Sequence, residues 1–424
     1  MSLFKIALPP DHAARFLALM LVAWQPFVSG GRLPSLLLAV LGIWMLSQRR
    51  IDIACTPVRR LGIIFLLLAV PAAISLPGSF HPIGTLNVVL VLCLFFIAGL
   101  AVLRGVKTEA DHSWLQRWLA IVLVTWVVDG IIQFAFGTDL LGVSVPKGEA
   151  IQGPFAGNLH LSTFVTVLMP VMLWRMAKVR PWVALAIMPL VGIIAVLSGA
   201  RSSMLYFIFA SLTLVPRFSW RQRAVMVVGV VTALTLAVLH SPAATERMNR
   251  LVNLEGESSL FQTLDRVLSG RMVIWETGMK MLKDRPLTGV GTSAFAEAYD
   301  HYATRPNDPF RSGGGYAGGV YHAHQMYVSV AAESGLVGLL GLVAAVMLGI
   351  IWYWRAPAEQ RALAAPYATS LAVIAFPLQS QPVLYTIWWF PIIWLLVCAM
   401  LAALHPETKF SDPIIRPLQH TDTA

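Results

Sequence analysis

The sequence is poor in charged residues, which make up 12% of its 424 positions, whereas hydrophobic residues make up 57%. Soluble domains carry roughly 25% charged residues. A chain with so few polar residues cannot form a water-exposed surface over its whole length, so most of it must contact lipid. The composition therefore excludes a soluble enzyme or binding domain as the main body of the protein.

Cysteines and paired carboxylates are also scarce. Cys55 lies in a short polar link, and Cys93 and Cys398 lie in apolar runs, so no pair is placed for a disulfide framework or a metal site. The links 29–34 and 77–84 between early apolar segments contain no paired carboxylates. We therefore expect neither a metal nor another cofactor, and arginines would have to supply positive charge.

Apolar segments long enough to cross the membrane, or nearly so when tilted, dominate the chain. We predict an all-α polytopic membrane protein with about twelve transmembrane helices. The segments are 15–29, 34–47, 61–76, 86–103, 117–136, 158–174, 182–198, 202–216, 223–240, 326–354, 362–379 and 383–404.

Lysine and arginine residues gather in alternate links. Five links hold 15 of them, while the short links on the other side hold three, Arg32, Lys147 and Arg201. Because short cytoplasmic links retain basic residues during insertion, both termini are expected in the cytoplasm. The formal charge of +10 then reflects topology and does not indicate a nucleic-acid partner. The basic links are 48–60, 104–117, 175–181, 217–223 and 355–361.

One long polar segment, 241–325, follows the ninth apolar segment and falls on the outer face. It holds nine basic and nine acidic residues, so it is near neutral and favours neither nucleic acid nor an anionic lipid surface. We predict four parts: 1–240 with nine spans, 241–325 as the outer loop that carries the chemistry, 326–404 with three spans, and 405–424 as a cytoplasmic tail.

Within this loop we predict an amphipathic helix that begins after Ser269 and lies against the membrane. Ser269 is its expected N-cap, and Ile274, Met279 and Leu282 form its apolar face. Arg271 is then the second or third residue of the helix.

Arg201 and Arg271 are both predicted near helix N-termini on the outer face. A helix start offers free N–H groups and partial positive charge, and together with a guanidinium it forms an anion site. Two such sites on one membrane face suit a pyrophosphate. Alternatively, Arg201 anchors its helix by snorkelling, and Arg271 is a solvated loop residue.

His322 and His324 end a glycine-rich stretch, 311–324, that precedes the tenth span. Their spacing indicates metal only weakly, because no cysteine and no HExxH motif accompanies them. A single histidine can instead act as a general base or bind a sugar hydroxyl. Alternatively, both are interfacial histidines.

Two acidic residues lie inside apolar segments, where charge is costly. Glu333 is out of phase with His324 on a continuous helix, so we expect it to contact a neighbouring element. Asp129 should pair with another group or face a cavity.

Four spaced motifs together resemble the O-antigen ligase and polymerase superfamily of bacterial envelope proteins. Their order around one outer loop carries the resemblance. Where the family has His-Asn, this chain has His324-Gln325. The motifs are GPFAGNLHLSTF at 153–164, SGARSSM at 198–204, SGRMVIWETGMKMLKDRPLTGVGTSAF at 269–295 and HAHQMYVSVAAESGLVGLLG at 322–341.

The resemblance implies a GT-C-class glycosyltransferase of the inner membrane that works on the periplasmic side. Its donor would be a glycan linked to undecaprenyl pyrophosphate, and its acceptor lipid A–core. Arg201 and Arg271 match the two essential arginines of the family, and His324 matches its essential histidine. Asn158, His322 and Gln325 are the further expected substrate-binding residues.

Other functions remain open at this point. A polymerase of the same superfamily would pass the glycan to a second lipid-linked repeat, and a protein oligosaccharyltransferase to a side chain. A transporter or flippase would use Arg201 and Asp129 along a substrate path, although its charges should then lie at the membrane midplane.

Overall fold

The computed structural model describes residues 9–27, 30–146, 149–156, 160–240, 245, 270–306, 308–312, 320–377, 384–386 and 388–406. These residues form helices and connecting loops, with one isolated bridge between Thr138 and Ser144. The predicted all-helical class is confirmed within these ranges. In chain order the helices are α1 Pro10–Ala23, α2 Arg32–Ser47, α3 Thr56–Ile74, α4 Pro82–Gly105, α5 Glu109–Phe136, α6 His160–Val179, α7 Pro181–Leu197, α8 Arg201–Leu214, α9 Trp220–His240, α10 Arg271–Asp284, α11 Phe295–Tyr302, α12 Met326–Arg355, α13 Ala358–Ile374 and α14 Phe390–Ala403.

Each of the twelve predicted apolar segments overlaps one of these helices, although several bounds differ by five residues or more. Six helices, α3, α4, α5, α6, α9 and α12, are long and apolar enough to cross a membrane, and α2, α7 and α14 are shorter apolar helices. The part of the chain that the structure describes therefore has six candidate spans, which is consistent with a polytopic membrane protein.

The basic links meet at one end of the helical bundle. Arg60, at the start of α3, stacks over the Trp352 ring at the end of α12 at 5.0 Å, and Arg217, just after α8, stacks over Trp174 near the end of α6 at 4.2 Å. These cation–π contacts join links that are distant in sequence. The alternation of basic and non-basic links thus corresponds to two different ends of the bundle.

The opposite end is held together by hydroxyl groups. The Thr292 hydroxyl lies 3.1 Å from the Ser75 hydroxyl, and the Thr292 carbonyl accepts a hydrogen bond from Thr85 at 2.8 Å. The hydroxyls of Ser162 and Ser203, in the first turns of α6 and α8, are 2.8 Å apart. The segment after α10 and the starts of α4, α6 and α8 therefore belong to this end.

Helix α10 buries a different face from the predicted one. Ile274 is buried as expected, but Met279 is 51% exposed, and the buried face includes Thr277, Gly278 and Met281. This face packs on α11 and on the first turns of α12. The prediction was wrong about Met279, which lies outside the face that packs on protein.

Helix α12 contains a sharp kink at Gly335, where φ is 66° and ψ is −165°. The segment after α10 causes it by packing against the helix backbone: Val290 N–H donates to Ala332 O at 2.9 Å, and Leu336 N–H donates to Pro286 O at 2.7 Å. A side chain at Gly335 would come within 2.3 Å of the Leu287 backbone. Only glycine fits there.

We therefore expect Gly335→Ala to destabilise the protein, with backbone strain alone costing about 1–3 kcal/mol. The melting temperature in detergent measures this. Gly349→Ala is the matched control in the same helix, since its added methyl group would meet only the Met400 side chain at 3.8 Å and alanine favours helix. Equal melting temperatures for the two variants would contradict the expectation.

Candidate functional site

Helix α8 begins at Arg201, as the sequence predicts. Gly199 before it is left-handed, with φ of 75°, and Ala200 is extended. The chain therefore turns sharply between α7 and α8, and the first N–H groups of α8 lie at the end of the bundle opposite the basic links. The structure describes the backbone of Arg201 and not its side chain.

Helix α10 also begins with its arginine, one position earlier in the helix than expected. Its N-cap is Gly270, which is left-handed with φ of 79°, and Ser269 lies outside the described residues. The charge of Arg271 acts on both Tyr206 and His322. The start of α10 is therefore near the histidine pair and near Tyr206, which lies about 8 Å along α8 from Arg201.

His322 and His324 contact each other directly. Their ring centroids are 4.1 Å apart at an interplanar angle of 70°, and the backbone N–H of His324 donates to His322 Nδ1 at 3.2 Å. His324 has a φ of 51°, in the left-handed region that few non-glycine residues adopt. A strained backbone at such a position is typical of a functional site.

A hydrogen bond from α10 fixes this turn. Trp275 donates its indole N–H to the carbonyl of Ala323, between the two histidines, at 2.9 Å. Ala323 itself is fully buried. The helix that begins with Arg271 therefore also positions the histidine pair.

Gln325 is the N-cap of α12. Its side-chain oxygen accepts from Val328 N–H at 2.6 Å, and its amide nitrogen donates to the carbonyl of Pro377 at 3.0 Å. Both ends of the amide thus contact protein, so the geometry gives Gln325 a structural part in holding the turn. Asn158, the other predicted substrate-binding amide, lies outside the described residues.

Burial lowers the pKa of His322 to about 4, and the positive charge of Arg271 contributes to this shift. His322 is therefore neutral at pH 7. Because its Nδ1 accepts the His324 N–H, its proton lies on Nε2, which can donate a hydrogen bond to a ligand.

A neutral buried histidine makes stability depend on pH. The unfolded chain binds a proton at His322 below about pH 6.5, while the folded chain binds it only near pH 4. The contribution of His322 to the free energy of unfolding is therefore complete above the unfolded pKa. It is lost as the pH falls from about 6.5 to 4, and the loss is at most about 3 kcal/mol. We expect the melting temperature of His322→Gln to fall less over this range than that of the wild type. Parallel profiles would contradict this expectation.

Two acidic residues of the apolar segments have local partners. Glu333 is buried and accepts a hydrogen bond from Phe295 N–H at 3.2 Å, as expected of a residue that contacts a neighbouring element. Asp129 accepts from Leu140 N–H at 2.8 Å, so it holds the loop that follows α5. Among the described residues, no group of three or more histidine, cysteine, aspartate or glutamate residues is placed to hold a metal ion.

An apolar cleft of about 630 Å³ opens beside the histidine turn. Met326, Tyr327 and Pro377 line its outer end, and Tyr353 and Trp354 line the end near the basic links. The cleft lies between α3, α8, α12, α13 and α14. Its size and apolar walls suit a long hydrocarbon chain.

Sequence reasoning missed His160, the first residue of α6. Its ring stacks on Phe164, with centroids 5.4 Å apart, and contacts Trp388 at 5.1 Å. His160 belongs to the motif at 153–164, so the resemblance alone could have singled it out. The structure gives it aromatic neighbours from α6 and from the segment before α14.

Part of the chain matches a known protein family. A search of curated proteins finds no match to the chain. Residues 182–343 match the family model described as O-antigen ligase. The matched region runs from α7 into α12 and includes Arg201, Arg271 and the turn from His322 to Gln325. Over residues 182–343 the chain is therefore similar to the O-antigen ligase family.

Proposed function

We propose that the protein is an O-antigen ligase: a GT-C-class glycosyltransferase that moves a glycan from undecaprenyl pyrophosphate to a sugar hydroxyl of lipid A–core. The observation that carries this proposal is the convergence of Arg271, the start of α8 and the histidine turn at the end of the bundle opposite the basic links.

Arg201 and Arg271 would bind the pyrophosphate. A guanidinium presents a planar fork that matches two phosphate oxygens, and the N–H groups at a helix start add further donors. As the glycosidic bond breaks, negative charge develops on the leaving pyrophosphate. Preorganised donors at this position stabilise that charge in the transition state, so a metal ion is not required by the proposed mechanism.

His324 would orient or deprotonate the acceptor hydroxyl, which attacks the anomeric carbon with inversion. The bond from the anomeric carbon to the pyrophosphate oxygen breaks as the new glycosidic bond forms. His322, neutral and protonated on Nε2, would donate a hydrogen bond to a sugar oxygen or phosphate. Asn158 is a further proposed contact to the substrate, and Gln325 is proposed to act by holding the turn.

The apolar cleft supports a lipid-linked donor. Its outer end lies next to Gln325 and the histidine turn, through Met326 and Pro377. A polyprenyl chain in the cleft would place its pyrophosphate close to the proposed arginine site. A sugar carried on a soluble nucleotide has no hydrocarbon chain that would fill such a cleft.

The topology that this mechanism requires follows the positive-inside rule. We propose twelve spans in the bacterial inner membrane, with the basic links and both termini in the cytoplasm. The arginine and histidine groups then face the periplasm, with 241–325 as the catalytic loop between 1–240 and 326–404, and 405–424 as the cytoplasmic tail.

A reconstituted reaction tests the proposal. Purified protein, lipid-linked glycan and lipid A–core, with a chelator present, should yield glycan on lipid A–core. A polymerase of the same superfamily would instead lengthen the lipid-linked glycan, with or without lipid A–core. Movement of intact donor across a sealed vesicle without transfer would indicate a flippase, which the local partner of Asp129 does not favour.

A further inference from the structure

A second cavity lies at the end of the bundle that carries the basic links, in a groove between α5 and α6. Its volume is about 230 Å³. Arg117, Arg175 and Arg180 line its rim, and its floor is apolar, with Ile121 and Met172 among the lining residues. The cavity is thus basic at one edge and hydrocarbon-like beneath.

Few negatively charged groups neutralise the three arginines of this rim. Among the residues that the structure describes, none of the three makes an ion pair, and the side chains of Arg117 and Arg180 make no hydrogen bond. Arg175 donates to the Ser113 hydroxyl at 2.5 Å, which holds its guanidinium against α5. All three side chains are exposed.

The nearest carboxylates on α1 and α5 have other partners or lie far from the rim. Asp111 pairs with Arg15 and caps the start of α5, and Asp11 lies 3.1 Å from Arg104. Glu109 lies about two helical turns before Arg117, roughly 12 Å along the axis. The groove therefore keeps a local excess of positive charge.

We propose that this groove binds an anionic phospholipid, with the headgroup phosphate on the three arginines and the start of an acyl chain on the apolar floor. Basic pockets between membrane helices bind acidic headgroups in this way. The apolar floor favours a lipid over a free phosphate. Ile121 is 48% exposed and Val179 is 65% exposed, so an acyl chain can enter from the side. This site is separate from the proposed glycan site and does not depend on it.

Native mass spectrometry of the purified full chain tests the site. We expect the wild type to retain phosphatidylglycerol in preference to phosphatidylcholine. Each arginine near the headgroup contributes roughly a five-fold change in affinity. Arg117→Gln should therefore weaken retention about five-fold, and the triple change of Arg117, Arg175 and Arg180 to Gln about a hundred-fold.

The matched control changes Arg49, Arg59 and Arg355 to Gln. These are exposed cations of other basic links that line neither cavity, and the change in net charge is identical. The control should retain phosphatidylglycerol as the wild type does. Equal loss in both triple variants, equal retention of the two lipids, or full competition by glycerol phosphate would each overturn the proposal. Arg117→Gln keeps the test valid if the triple variant fails to fold, because the exposed Arg117 side chain makes no hydrogen bond or ion pair with another described residue.

Discussion

Arg271→Ala is expected to lower glycan transfer by about 10²- to 10³-fold, while the protein still inserts and accumulates in the membrane. Removal of one preorganised donor from a developing negative charge has this effect in other enzymes. Arg271 is the first residue of α10, and its charge acts on both α8 and His322. Its loss should therefore affect chemistry more than folding. Transfer to lipid A–core in the reconstituted reaction measures the change.

Arg271→Lys should also fail, because an ammonium group is a point charge without the fork that matches two phosphate oxygens. Arg201→Ala should behave as Arg271→Ala does. Lys283→Ala is the matched control, since Lys283 is an exposed cation near the other end of the same helix. Normal transfer by Arg271→Ala, or an equal loss in the control, would remove Arg271 from the mechanism.

His324→Asn is expected to lower transfer by about 10²- to 10⁴-fold, the usual contribution of a positioned acid–base group. Asparagine is chosen because it tolerates the left-handed backbone that His324 adopts, with φ of 51°. The substitution should therefore preserve the turn and remove the imidazole. The reconstituted reaction and the melting temperature, measured together, separate chemistry from folding.

His301→Asn is the control for this change. His301 is an exposed histidine on α11, which packs on α10, and its ring contacts Phe80 and Tyr302. Its substitution should leave transfer within a factor of a few of the wild type. If His324→Asn transfers normally, the histidine turn is a structural element only.

The helices were predictable from the sequence because a long apolar run in lipid must satisfy its own backbone hydrogen bonds, and an α-helix does so within one segment. The packing of α10 and α11 on the start of α12 was less predictable. The burial of Met281 and the exposure of Met279 depend on α11 and α12 covering α10. Such contacts between distant segments leave no periodic signal in the sequence.

For the candidate site, residue types were easier to predict than their partners. The helix starts at Arg201 and Arg271 follow left-handed glycines, Gly199 and Gly270, which the sequence shows directly. The pairing of Gln325 with Pro377 does not, because it joins segments that are 52 residues apart. A polar residue before a span can bind substrate or cap a helix, and the sequence alone does not distinguish these roles.

The hydrogen bonds between 286–291 and 332–336 affect how the protein can be divided. A fragment that ends at residue 325 would lose Ala332, which accepts from Val290 and belongs to the apolar cluster of α10 and α11. Expressed alone, such a fragment should aggregate or be digested by proteases. A fragment that keeps these hydrogen bonds would have to extend past the kink at Gly335. It would then expose to water the side of α12 that faces the membrane.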